Sequence, residues 1–266
     1  MKDFQISGTV VITGAAGLLG KQHAKAVLSA GGSVALVDSN ETALEEVCSE
    51  LELEHKEKVF SFLCDITNEE QVINSLNFVK VECPTIKGLI NNAAINPSVV
   101  KNQIQNNNSF EDFSLDQWNL EISVGLSGAM LFTKHFGQEM AKNKEGTIVN
   151  VSSDLGVIAP DQRIYKDLEG GLKPVTYSVI KHGLIGLTKF TSTYWNEQNI
   201  RCNALVPGGV FNQQDPSFVK NLETLIPLGR MAKEDEYRGA IIFLLSKASS
   251  YMTGSLLVID GGRTAW

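Results

Sequence analysis

Short apolar runs alternate with longer segments of helical periodicity along most of this 266-residue chain, and few folds satisfy that alternation. The first run, Val10–Ile12, leads through a glycine-rich turn into a predicted helix from Leu19 to Ala30, which Gly31-Gly32 ends. Strands are predicted next at Val34–Val37, Val59–Leu63, Gly88–Ile90, Thr147–Val151, Ile200–Val206 and Leu256–Ile259. Between them, Leu44, Val47, Cys48 and Leu51 form one apolar helical stripe. Thr67–Glu70 and Ser114–Gln117 have the form of capping boxes, opening helices to about Val81 and about Ala141. Two further helices are predicted, from about Val175 to Asn196 and from Lys233 to Ser246. Strands separated by helices give βαβ units and a parallel sheet covered on both faces. The expected fold is therefore α/β, a Rossmann-like three-layer α/β/α sandwich on a seven-stranded parallel sheet.

No internal repeat or long linker interrupts the pattern, so residues 1–266 read as one nucleotide-binding domain. Three stretches fall outside it and are expected as loops over the substrate: about 96–112, 156–174 and 209–228. The first is rich in asparagine.

Hydrophobic residues make up 43% and charged residues 20%, enough for a sizeable core without metals or disulfides. The net charge of −7 and the absence of a dense Lys/Arg run argue against a nucleic-acid partner. Cys48, Cys64, Cys83 and Cys202 form no CxxC pair and suggest no zinc site, and the four histidines show no ligand spacing; no metal is expected. Reduced thiols and the lack of a signal-peptide pattern or an apolar span fit a cytoplasmic protein away from membranes. Asn107-Asn108-Ser109 and Asn150-Val151-Ser152 match the glycosylation sequon, but the second lies in a predicted buried strand.

In a parallel sheet, ligands bind at the carboxyl ends of the strands, so the residues just after each strand carry the chemistry. Thr13–Gly20 follows the first strand and opens a helix. Gly14, Gly17 and Gly20 allow a tight turn that brings backbone N–H groups to a phosphate. Asp38 ends the second strand; its carboxylate would accept hydrogen bonds from an adenosine ribose and repel a 2′-phosphate, or else cap the next helix. The first option favours NAD over NADP. Asp65, after the third strand, either meets an adenine or caps a turn. Tyr177 and Lys181 lie one helical turn apart, and a nearby ammonium would lower the tyrosine's pKa toward that of a working base. Ser153, at the end of the fifth strand, can orient a substrate oxygen, with Ser152 as its competitor for the role.

These ordered motifs resemble the compact branch of the short-chain dehydrogenase/reductase family across essentially the whole chain. Thr13–Gly20 looks like that family's cofactor loop, Asn91-Asn92-Ala93-Ala94 is similar to its Asn-Asn-Ala-Gly segment, and Arg201–Gly209 is similar to its Asn-x-x-x-Pro-Gly segment. Gly229-Arg230-Met231 and Tyr251–Gly262 match its C-terminal third. The resemblance implies Ser153, Tyr177 and Lys181 as catalytic residues. It implies Gly14, Gly17, Leu19, Gly20, Asp38, Asp65, Ile66, Asn92, Tyr177, Lys181, Pro207, Gly208 and Val210 around the cofactor. It also implies a homo-oligomer, a tetramer or a dimer, for which the apolar C-terminal stretch with Trp266 offers an interface.

The chain departs from that family in three places. Leu18 replaces a usual glycine, which gives a spacing closer to the extended branch of epimerases and dehydratases. Gly125 stands where the family has an asparagine that holds a water in a proton relay. Ser153 and Tyr177 are further apart than usual, so the residues between them are expected to bulge above the site. There Arg163 and Lys173 could grip an anionic group or simply be solvated, and Gly209 would also border the substrate. The insertion, Tyr194-Trp195 and Pro207–Gly209 look similar to a subgroup tied to bacterial sugar-nucleotide and flagellin-glycan pathways. The expectation is an NAD-dependent oxidoreductase acting on a secondary alcohol or ketone of a sugar-like small molecule. The alternatives are an NADPH-dependent ketoacyl-carrier-protein-type reductase, a nucleotide-sugar dehydratase or epimerase that recycles NAD, and a non-enzymatic paralogue.

Overall fold

Apolar residues that fill a run without alternation need cover on both faces, and the interior strands show it. In the computed structural model, which describes residues 2–95, 109–165 and 171–266, β1 (Thr9–Thr13) and β5 (Gly146–Val151) are buried at every position. The other strands are β2 (Ser33–Asp38), β3 (Val59–Leu63), β4 (Ile86–Asn91), β6 (Ile200–Pro207) and β7 (Leu256–Ile259). They pair in the order β3-β2-β1-β4-β5-β6-β7, and every pairing is parallel. The edge strands β3 and β7 are the partly exposed ones.

Alternate residues of each strand enter opposite layers. Val10, Ile12, Val34 and Leu36 pack with Ala24, Val27, Leu44, Ile241 and Leu244, from α1 (Leu18–Ser29), α2 (Glu41–His55) and the last helix of the layer, Arg238–Leu245. Val11, Ala35, Val37 and Leu89 face the other way, toward Val72 and Val79 of α3 (Glu69–Glu82) and toward Phe132 and Phe136. This is the three-layer sandwich. Because β1 neighbours both β2 and β4, the chain reverses its direction of travel across the sheet between β1 and β4. A crevice opens there at the strands' carboxyl ends.

Several boundaries differ from the sequence expectation, each for a local reason. Asn68, not Thr67, caps α3, its side chain accepting from the Gln71 N–H while Thr67 turns back to Asp65. The expected helix from Ser114 is α4 (Leu115–Ile122), a π-turn (Ser123–Ser127) and α5 (Gly128–Lys142) in series. The next helix, α6 (Val175–Tyr194), stops before Asn196. Within 209–228 lies an unexpected helix, α7 (Pro216–Glu223), begun by an Asp215 cap and proline in its first turn. The last helix, α8 (Arg238–Leu245), starts later than Lys233 because Arg230 and the Lys233 N–H both bind Glu236 and hold that stretch as a turn. Most of the expected 96–112 loop, the Asn107-Asn108 sequon and the middle of the 156–174 stretch lie outside the described residues. Among the described residues no helix is long and apolar enough to cross a membrane.

Candidate active site

A cleft of about 1060 Å³ runs along the carboxyl ends of the strands. At one end, β1 turns at Gly14, whose φ of +62° suits glycine and where a Cβ would stand only 2.7 Å from the Ala93 Cα, so no side chain fits. Gly17, Leu18 and Leu19, at the start of α1, wall the cleft beside it. Gly20 is absent from that wall: its missing side chain lets α1 sit directly on the Gly14 and Ala15 backbone. What the structure gives it is a packing role. Asn92, after β4, donates through Nδ2 to the carbonyls of Thr13 and Gly14 at 3.1 and 2.9 Å, fixing the turn.

Asp38 reaches the cleft from the end of β2. Its Oδ2 accepts from the Ala16 N–H and its Oδ1 from the Asn40 N–H, both at 3.0 Å. The helix cap itself is Asn40, so the carboxylate braces the glycine turn and keeps acceptor capacity toward the cleft. Asp65 accepts from the Thr67 N–H and hydroxyl, capping a turn, and with Ile66 it also lines the cleft. A glycine cradle at a helix start, with an acidic side chain a strand away, fits a dinucleotide.

At the other end, β5 and α6 meet. Gly156 permits this, since an added Cβ would stand 2.5 Å from the Ser152 hydroxyl and 2.9 Å from the Lys181 carbonyl. Ser152 donates to that carbonyl at 2.8 Å and so belongs to the packing. Ser153 lines the cleft with Tyr177, and its hydroxyl donates to Asp154 Oδ1 at 2.7 Å. Lys181 is buried and donates to the Val151 carbonyl at 2.9 Å. Burial pushes the Tyr177 hydroxyl up to about 12, with Ser153 pulling against it. In the protein alone burial therefore outweighs the downward effect expected from Lys181. Burial and the charge of Lys173 hold the Lys181 ammonium down to about 8.

Beneath these residues Asn91 Nδ2 donates to Thr133 and Asn150, and Asn150 Nδ2 donates to Thr188. This buried chain of side chains ties β4, β5, α5 and α6 together, with the asparagine of the second sequon, Asn150, at zero exposure within it. Gly125 sits in the π-turn, and a Cβ there would stand 2.7 Å from Ile180 Cγ2. An asparagine side chain there, as in the family pattern, would require the facing isoleucine to move.

Pro207, Gly208, Gly209 and Val210 line the cleft after β6. Arg163 does not: its side chain is 86% exposed and forked onto Asp161, which corrects its expected place in the site. Beside it, Ile164 and Tyr165 are anchored, packing with Phe218, Leu222, Ile226 and Met231 into a small apolar cluster of their own. Sequence reasoning missed one further element. Arg263, 6% exposed, forms a 2.8 Å ion pair with Asp154, 4% exposed, next to Ser153. The pair is separated by 109 positions in sequence, and no local pattern announces it. Among the described residues no cluster of three His, Cys, Asp or Glu side chains is placed to hold a metal.

Residues 14–264 match the family described as enoyl-(acyl carrier protein) reductase. The chain is 30% identical to the D-threitol dehydrogenase of Mycolicibacterium smegmatis, over 98% of this chain and 95% of that one. It is 29% identical to the post-translational flagellin modification protein A of Campylobacter coli, over 95% and 96%. A short chain dehydrogenase from Leptospira borgpetersenii with bound NAD+ superposes with a TM-score of 0.80 at 31% identity, covering 98% of this chain and 94% of that one. A gluconate 5-dehydrogenase from Burkholderia cenocepacia in complex with NADP and tartrate does so at 0.87 and 25%, covering 100% and 98%. With the sheet order, the glycine turn and the Ser153, Tyr177 and Lys181 cluster in view, the match over nearly the full length makes this chain a member of the short-chain dehydrogenase/reductase family, enzymes that oxidise or reduce at CH–OH groups.

Proposed function

We propose that this protein is an NAD-linked dehydrogenase that interconverts a secondary alcohol and a ketone on a polyol, sugar or sugar derivative. The observation that carries the reading is one continuous cleft with the Asp38 carboxylate at one end and Ser153, Tyr177 and Lys181 at the other. The Gly14–Leu19 turn, Asp38, Asn92 and the Pro207–Val210 segment would hold the dinucleotide, with Lys181 near its second ribose. A bound nicotinamide supplies the hydride acceptor or donor.

The protein's own groups manage the proton. Ser153 holds the substrate oxygen, and Tyr177 gives that oxygen its proton in reduction or takes it in oxidation. With its hydroxyl held up to about 12 by burial, Tyr177 is protonated at neutral pH in the protein alone, ready to donate. Oxidation needs the phenolate, which the neighbouring positive charges stabilise. The polyol and sugar-acid activities named for the relatives support a hydroxylated substrate, and Asp38 supports NAD over NADP because a carboxylate repels a 2′-phosphate. Free thiols at all four cysteines support a cytoplasmic location.

The test is turnover on a panel of polyols, ketoses and sugar acids with NAD+ and NADP+. The wild type is expected to prefer NAD+, and Asp38→Ala to lose that preference. Tyr177→Phe is expected to lower kcat/KM by roughly 10²- to 10⁴-fold. Near-wild-type turnover in Tyr177→Phe, or a wild-type preference for NADP+, overturns the assignment.

A further inference from the structure

Lys173, Tyr177 and Lys181 are spaced four residues apart, from the residue before Pro174 into the second turn of α6. Helical spacing puts Tyr177 and Lys181 on one face of α6, and Lys173, just outside the helix, reaches the same ring. The Lys173 Nζ lies 3.6 Å from the centroid of the Tyr177 ring, and the Lys181 Nζ lies 5.6 Å from it. The Tyr177 ring is thus flanked by two ammonium groups, and the nearer one comes from the segment inserted between Ser153 and Tyr177.

The inserted segment fixes where Lys173 stands. The Lys173 N–H donates to Gln162 Oε1 at 2.9 Å, and Gln162 Nε2 donates to the Lys173 carbonyl at 3.1 Å. Gln162 starts a short helical turn whose Ile164 and Tyr165 are buried against Phe218 and Leu222 of α7. The Lys173 backbone is clamped on both sides by a side chain that is itself tied to a packed cluster.

We propose that Lys173 is a positioning residue for proton transfer: its ammonium, held over the Tyr177 ring, favours the phenolate over the phenol and shares with Lys181 the task of making Tyr177 a usable base. A cation over an aromatic face is attracted by the ring's electron density. Ionising the hydroxyl adds negative charge that spreads into the ring, so the attraction grows when the proton leaves. The assignment rests on the proposed function only in taking Tyr177 as the acid/base group.

The other groups around this pair come from several elements. Ser153 and Arg263 favour the ionisation of Tyr177, and Asp154 opposes it. Tyr165 lies close enough to feel the Tyr177 charge. Burial lowers the Lys173 ammonium to about 8; Asp154 and Glu121 of α4 act to keep it charged, and Arg263 acts with burial. Lys173 is therefore charged at neutral pH and loses that charge as pH rises through about 8, so its help to Tyr177 is present below that point and fades above it.

The experiment reads the ionisation of Tyr177 directly, by the near-ultraviolet absorbance of its phenolate, in protein saturated with NAD+. From each variant's titration, that of its own Tyr177→Phe counterpart is subtracted to remove the other tyrosines. Below about pH 8, where Lys173 carries its charge, Lys173→Met is expected to lower both the phenolate signal and kcat/KM for alcohol oxidation roughly tenfold. Lys173→Arg is expected to restore both, and to keep its effect above about pH 8, where that of Lys173 fades. Unchanged values below that pH in Lys173→Met, or equal losses in the Met and Arg variants, overturn the proposal. If Lys173→Met does not fold by thermal melting, Lys173→Gln takes its place with the same criteria. The absorbance needs no substrate, so a normal Lys173 effect without turnover on any polyol or sugar would sink the substrate reading and leave this assignment standing.

Discussion

At the scale of single residues, Gly125 marks where this chain departs most from its family's pattern. The sequence shows the missing asparagine, but it does not show that the helix widens into a π-turn there, or that Ile180 occupies the space. The asparagine therefore cannot simply be put back. Gly125→Asn should destabilise the protein by about 1–3 kcal/mol through overpacking against Ile180, measured by urea unfolding. A stable, more active variant would show that the π-turn adapts to the side chain. Tyr177, Lys181 and Ser153 were legible because their types and spacing are local. The choice of Ser153 over Ser152 came from the family resemblance, and its physical reason, the Ser152 hydroxyl meeting the Lys181 carbonyl, lies in another element.

At the scale of elements, the strands were the easiest to read, because burial on both faces leaves an unbroken apolar signature. Helix ends were harder. The start of α8 is set by Arg230 and Glu236 side chains, and α7 hides inside a stretch that reads as a loop until Asp215 and Pro216 are seen as a cap and a first turn. The turn at Arg263–Ala265 was harder still. Asp260 accepts from the Gly262 and Thr264 N–H groups and so aims Arg263 at Asp154. Removing one partner of a buried pair leaves the other charge uncompensated. Arg263→Leu is therefore expected to cost about 3–5 kcal/mol of stability and to lower turnover by freeing Asp154 to reposition Ser153. The double variant with Asp154→Leu should recover part of the stability but not the activity. Equal stability of wild type and Arg263→Leu in denaturant titration would show that the pair contributes nothing.

At the scale of the whole molecule, the strand order decides where the site can be. Reversal between β1 and β4 opens the crevice, and the expected site residues converge on it except Gly20, which packs α1 onto the glycine turn, and Arg163, which turns outward onto Asp161. The sequence could locate the cleft because strand ends are local, but not the fate of the insertion, which depends on packing against the distant α7. We propose that the protein assembles as a homodimer or homotetramer. Phe190 and Tyr194 of α6, stacked on each other with 62% exposure each, support an apolar face for a second copy. Light scattering of the purified protein is expected to give two or four times the mass of one chain, and a monomer at micromolar concentration would end that proposal.

Through its ion pair with Asp154, Arg263 joins the serine's neighbour to a turn near the end of the chain, outside the sheet. If that turn opens at a lower free-energy cost than the sheet, turnover is expected to fail at a lower urea concentration than the far-ultraviolet circular dichroism signal. Coincident loss of the two signals would show that the turn and the sheet unfold as one unit.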